Sequence, residues 1–199
     1  VNVGGVANVT WIGAAAGEVL AFDTGPGNAL IDDWTRARTG RPMDEDGALA
    51  AAGRVFEGPI AAVLGADYFR RPPPKSLDRD AFASTLAVVA DLGAADGAAT
   101  LTALTARAIA AARAFMPAPP RRWLICGGGR HNRTMMTMLA AAVGTAVEPV
   151  EAAGWDGDAL EAQAFAFLAV RSVLGLPLSL PSTTGVRAPQ TGGVLRRPG

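Results

Sequence analysis

Asp23 stands in the stretch Ala21-Phe22-Asp23-Thr24-Gly25-Pro26-Gly27-Asn28, where an apolar run from Glu18 to Phe22 delivers a carboxylate into a turn with two glycines. A carboxylate at a strand tip, beside backbone that carries no side chains, can act as a base toward a bound ligand. Gly25 and Gly27 allow close approach, and Asn28 is a good cap for the helix that Leu30, Ile31 and Trp34 announce. The same Asp-x-Gly also makes a plain turn capped by its own carboxylate, and spacing alone leaves both readings open. A second carboxylate, Glu161, lies one and two turns before Phe165 and Leu168. That spacing places it on a face expected to be buried, where a carboxylate needs a partner or a task. It equally fits a capping box in which Asp158 is the N-cap.

Two glycine turns complete the chemistry-bearing set. Gly4-Gly5, closed by Asn8, is a place where bare backbone can meet a phosphate, and it is also an ordinary hairpin signal. Gly127-Gly128-Gly129-Arg130-His131-Asn132 joins a strand-like run, Arg122 to Cys126, to a helical pattern from Asn132 to Val143. Strand, glycine turn and helix suit an anionic nucleotide, because a helix N-terminus favours negative charge. The turn lacks the Gly-Lys-Ser/Thr ending of a P-loop and the second glycine pair of a dinucleotide fingerprint. His131 reads as a turn or packing residue. Asp44-Glu45-Asp46-Gly47 lacks the alternating oxygen ligands and closing Glu of an EF-hand and reads as a solvated loop and helix start. The three prolines Pro72 to Pro74 make a stiff segment that presents Lys75 and Ser76, and Tyr68 and Phe69 upstream predict that it is packed rather than free.

The elements that position these residues follow from periodicity. Val1 to Val3, Val9 to Ile12 and Val19 to Phe22 predict a three-strand antiparallel meander. Helices are expected at Asn28 to Arg38, Ala48 to Arg54, Pro59 to Leu64, Asp78 to Ala90, Ala98 to Phe115, Asn132 to Val143 and Asp156 to Leu174. Further strands are expected at Arg122 to Cys126 and Val147 to Val150, and after Pro177 the chain is expected to wrap back over the domain. The fold class is therefore α/β: a meander followed by α-β-α-β-α, with a helical insert at about residues 43–116. That order resembles the ribonuclease-H-like lobe of the actin-like ATPase superfamily, which includes sugar kinases and Hsp70; there ATP lies between two such lobes.

Composition narrows the function classes. The chain has 199 residues, half of them apolar, and no net charge. It can bury a core without disulfide or metal, and no run of like charge suggests a nucleic-acid or polybasic membrane surface. One cysteine and one histidine exclude a Cys/His zinc site within the chain. Cys126 is expected as a buried thiol in a reducing compartment. No apolar run has the length of a membrane span. The strand-like Val1-Asn2-Val3, without an initiator Met, leads us to expect a start inside a domain.

The segments in their order resemble one family, the anhydro-N-acetylmuramic acid kinases of bacterial cell-wall recycling. The residues that carry the resemblance are Asn2 to Thr10, Ala21 to Asp32, Asp44 to Gly47, Pro72 to Ser76 with Arg79, Gly127 to Asn132, Asp158 to Ala166 and Thr184-Gly185. Leu77-Asp78 depart from the family's usual Thr-Gly, and Asp80 from its Glu. The family's Met-Ser-Gly-Thr-Ser-like phosphate turn has no counterpart here, so the resemblance implies the C-terminal half of a two-lobe enzyme. It implies a cytoplasmic kinase, with no nucleic-acid or membrane partner and a homodimeric assembly, that uses ATP and Mg2+. Water opens the internal C1–O6 bond of 1,6-anhydro-N-acetylmuramic acid and ATP phosphorylates O6. By resemblance Asp23 is the base and Glu161 a second carboxylate. Gly4, Gly5, Asn8, Gly127, Gly128, Gly129 and Asn132 would hold the nucleotide. Gly25, Pro26, Gly27, Asn28 and Lys75 would bind the sugar, and the metal ligands stay unassigned. A non-catalytic nucleotide-binding module and an inactive fragment of the kinase are the alternatives.

Overall fold

The computed structural model describes residues 1–15 and 17–196. Strands β1 (Asn2–Val3), β2 (Val6–Ile12) and β3 (Val19–Pro26) form the expected antiparallel meander. A parallel pair, β4 (Arg122–Ile125) and β5 (Ala146–Pro149), forms a second sheet. An isolated parallel bridge, Asn2 to Cys126, joins the two sheets; the Val3 N–H donates to the Cys126 carbonyl at 2.9 Å. The result is an α/β body with antiparallel and parallel pairing.

β2 and β3 shift register beside Asp23. Asn8 pairs with Asp23 and Ala7 with Gly25, so Thr24 is the extra residue of a bulge. Its hydroxyl donates to the Ala7 carbonyl at 3.1 Å, which satisfies a buried polar group where the ladder is interrupted.

The helices are α1 (Ala29–Thr39), α2 (Ala48–Ala51), α3 (Glu57–Leu64), α4 (Asp67–Arg70), α5 (Thr85–Val88), α6 (Ala94–Ala111), α7 (Arg133–Val143), α8 (Leu160–Val173) and α9 (Pro181–Thr184). α6 packs against β2, β3, α1, α2, α3 and α7. Its alanines allow that approach, and at Gly97 a Cβ would meet the Trp34 ring at 2.1 Å. The stretch expected as an insert, 43–116, thus contains the core's central helix. Leu101, Leu104 and Ile109 of α6 join Val3, Ile31, Trp34, Ile125, Met135 and Leu139 in one core.

Several expectations are corrected. The continuous helix expected at Asp78 to Ala90 is two single turns, a 3-10 turn at Arg79–Phe82 and α5. Phe82 is drawn instead into an aromatic cluster with Tyr68 and Phe69. Asp44 is buried rather than solvated, because its carboxylate accepts the Leu49 and Ala50 N–H groups at 2.7 and 2.9 Å. Cys126 is half-buried, not buried. α8 has no buried residue, and Phe165 is 66% exposed, so the face expected to be covered is open. Among the described residues, no helix is long and apolar enough to cross a membrane.

Candidate functional site

Asp23 lies half-buried in β3, held at three atoms by one segment of chain. The Tyr68 hydroxyl donates to its carbonyl at 2.6 Å, and its N–H donates to the Lys75 carbonyl at 3.1 Å. The Leu77 N–H donates to Oδ2 at 2.7 Å. Burial raises the Asp23 carboxyl above the usual carboxylate range, and the Leu77 N–H partly opposes that rise. A carboxylate shifted upward in a cleft is a stronger proton acceptor than a free one and matches a general base. The turn-cap reading does not describe it: the N–H on its side chain comes from Leu77, far along the chain.

An open cleft of about 590 Å3 runs past Asp23. Asn8, Val9, Ala21 and Phe22 from the sheet form one side of its lining, and Pro74, Lys75 and Ser76 another. Thr183, Thr184 and Gly185 complete it, because the chain after Pro177 returns and α9 packs on β3. Gly185 has φ +73°, and a Cβ there would meet Pro74 at 2.8 Å, so the two walls close on each other only with glycine at that position. Thr183 was not among the expected site residues, and Thr184-Gly185 had been noted only as a matching motif. Their signal was the hydroxyl-rich Ser182-Thr183-Thr184 ahead of a glycine.

The remaining expected residues fall into other places. Gly4, Gly27, Asn28, Gly127, Gly128 and Gly129 converge around Val3, at the end of β1. Asn28 donates from its N–H to the Gly4 carbonyl at 2.7 Å and from Nδ2 to the Val3 carbonyl at 3.1 Å. The Gly5 carbonyl accepts the Gly27 N–H at 2.9 Å, and the buried Thr105 hydroxyl of α6 fixes the Gly27 carbonyl at 3.1 Å. Packing demands glycine at Gly127, where a Cβ would lie 2.3 Å from Asn2 Oδ1, and at Gly129, where it would lie 2.5 Å from the Val3 side chain. At Gly4 and Gly128 a Cβ would meet nothing closer than 3.6 Å. Gly128 is exposed and Gly4 half-buried, and a side chain at either would make only ordinary van der Waals contacts. Gly25 and Pro26 are buried and face the core side; a Cβ on Gly25 would press on Ala108 and Phe69.

Asn132 is spent on structure: its Oδ1 caps α7 by accepting the Met135 N–H at 2.9 Å. Lys75 lines the cleft, but its ammonium is turned into the interior among aromatic rings. Glu161 is exposed on α8 and does not line the Asp23 cleft. The capping box is also absent. The N-cap position is Ala159, and Asp158 instead pairs with Arg130 at 2.5 Å. Arg130, whose side chain is 5% exposed, also bonds Glu151 at 2.9 Å and the Gly127 carbonyl at 3.0 Å. It therefore ties the start of α8 to the triple-glycine turn. Among the described residues no group of three or more His, Cys, Asp or Glu is arranged around a metal position.

Comparison with known proteins decides the family. The family model described as anhydro-N-acetylmuramic acid kinase matches residues 1–197. The chain belongs to this family. It is similar to the anhydro-N-acetylmuramic acid kinase of Rhodospirillum rubrum, with 63% identity over 96% of this chain and 51% of the relative. It is also similar to those of Acidiphilium cryptum, 60% identical over 100% of this chain and 55% of the relative, and Paramagnetospirillum magneticum, 60% identical over 96% and 54%. The chain thus spans about half the length of the curated relatives it matches. Membership in this kinase family implies the sugar kinase and actin-like ATPase fold class, with which the α/β architecture agrees.

Proposed function

We propose that residues 1–199 are the C-terminal lobe of a two-lobe, cytoplasmic anhydro-N-acetylmuramic acid kinase, a ribonuclease-H-like body whose glycine junction faces ATP. The observation that carries the reading is Asp23. It is a half-buried carboxylate in an open cleft, with one oxygen held by the Leu77 N–H and its proton affinity raised by burial. Strand order supports the lobe, since the Asn2–Cys126 bridge places β1 between β2 and β4.

In the proposed reaction Asp23 takes a proton from water as the water oxygen bonds C1 of 1,6-anhydro-N-acetylmuramic acid. The C1–O6 bond breaks, and O6 accepts the γ-phosphoryl group of ATP, giving N-acetylmuramic acid 6-phosphate and ADP. Attack of water at an anomeric carbon requires such a carboxylate, as in inverting glycosidases. ATP with Mg2+ supplies the phosphoryl group and neutralises its charge. Toward it this chain offers the backbone of Gly4 and of the exposed Gly128, beside Asn28. Lys75 acts from within the cleft wall rather than as a cation in the cleft, and Glu161 would reach the site only from α8, across a face that this chain leaves open.

ADP release on adding the anhydro-sugar to the two-lobe protein tests the reading. Asp23→Asn is expected to lower turnover by about 100- to 10,000-fold, the usual contribution of a general base, while ATP affinity stays unchanged. Sugar-independent ATP binding with no turnover would favour a non-catalytic module. A second reading, which the open apolar face of α8 supports, is that the 199-residue chain alone has no turnover. Turnover by that chain alone would refute it.

A further inference from the structure

Lys75, the only lysine in the sequence, is 8% exposed although its residue lines the cleft. Its Nζ lies 4.3 Å from the centroid of Phe115, 4.8 Å from Tyr68 and 5.6 Å from Phe22. It donates one hydrogen bond, to the Tyr68 carbonyl at 3.2 Å, and among the described residues no carboxylate pairs with it. A charge taken out of water without a counter-ion is costly; ring faces and one carbonyl are what offset it here. Arg71, stacked 5.3 Å from the Tyr68 ring, adds a like charge to the same segment. Burial, with Arg71 contributing, holds the Lys75 ammonium below the usual lysine range.

The position of this ammonium explains how Asp23 is held. Tyr68, Lys75 and Leu77 supply all three of the hydrogen bonds described above to Asp23, and the Lys75 side chain ties residue 75 back to residue 68. We propose that Lys75 is a positioning residue: its caged ammonium closes the Tyr68–Leu77 segment into a clamp that fixes Leu77 N–H on Asp23 Oδ2 and leaves Oδ1 to the ligand. The role matters for turnover only if Asp23 is the reacting carboxylate, so the test measures geometry and not activity.

In the 199-residue chain, Lys75→Met removes the charge and keeps most of the volume. Two signals are read by NMR: hydrogen exchange at the Leu77 amide and the titration of the Asp23 carboxyl carbon. The titratable side chain coupled to Asp23 is Tyr68, with Arg71 and Lys75 stacked on the far parts of the same clamp. With the clamp loosened, Leu77 exchange is expected to quicken at least tenfold. The Asp23 midpoint is expected to fall toward the ordinary carboxylate value, because water entry relieves burial, the larger of its two perturbations, along with the smaller opposing one from the Leu77 N–H, while the amides of α6 keep their protection. Lys75→Arg is expected to restore part of both signals. If Lys75→Met does not fold, Phe115→Leu, which removes the nearest ring, is expected to shift both signals the same way by a smaller amount. Unchanged Leu77 exchange and Asp23 titration in whichever of these variants folds would overturn the proposal. Because no turnover is involved, that result would leave the assignment of Asp23 as base standing.

Discussion

At Asp23, readiness to accept a proton and stability of the fold pull in opposite directions. Burial raises its carboxyl in the folded state above the ordinary value it has in the unfolded chain. Between those two values the folded protein binds more protons, so stability falls as pH rises through that window and stays lower at neutral pH. Asp23→Asn has no charge to desolvate and keeps an acceptor for the Leu77 N–H. It is expected to melt at a higher temperature than the parent at neutral pH, with the difference closing in acid; denaturation followed from about pH 3 to 8 checks this. The acid limb of turnover is expected above the ordinary carboxylate range for the same reason. Asp23 drew notice in the sequence because two glycines follow it, yet those glycines serve packing: a Cβ on Gly25 would press on Ala108 and Phe69, and one on Gly27 would strike the Gly4 carbonyl. The inward turn of Lys75 was not legible, because its cage combines Phe22, Tyr68 and Phe115 from distant stretches.

The triple-glycine turn sets positions that packing fixes beside one that packing leaves free. Gly127 has φ +73° and ψ −179°, a conformation essentially restricted to glycine. Gly127→Ala would also drive a methyl group into Asn2 and Val3, and is expected to cost about 1–3 kcal/mol or more in urea denaturation. Gly128→Ala meets only Asn28 Nδ2 at 3.6 Å, and its stability is expected to change by less than about 0.5 kcal/mol. If the turn meets a nucleotide, Gly128→Ala is expected to weaken ATP binding in the two-lobe protein, measured by calorimetry. Strand and helix order was readable from periodicity. The break between Phe82 and Thr85 was not: Phe82, Leu86 and Val89 keep helical spacing. Ser84 and Thr85, poor helix residues, let the chain bend so that Phe82 reaches Tyr68 and Phe69.

At the scale of the molecule, α8 stands apart. A helix rich in apolar residues on several sides ordinarily lies inside a protein, yet Phe167 and Val173 are 61% and 66% exposed. Phe167→Lys with Val173→Lys is expected to leave the melting temperature of the 199-residue chain nearly unchanged and to reduce its self-association in sedimentation. The sequence shows that α8 is apolar on several sides; it carries no information about whether anything covers them. This is why Glu161 was expected buried and is found exposed.

β3 gives the molecule a gauge. Asp23 lies near the middle of the strand and lines the cleft, and the strand continues through the Thr24 bulge into Gly27 and Asn28 at the glycine junction, where the Thr105 hydroxyl holds the Gly27 carbonyl. Four residues of extended chain span at most roughly 13 Å, and the bulge fixes how much of that length is used. Ligands that engage the carboxylate and the glycines together must match that length. A single insertion or deletion between Asp23 and Gly27 would reset it by about 3.3 Å, more than a bond length too far for a reaction to cross.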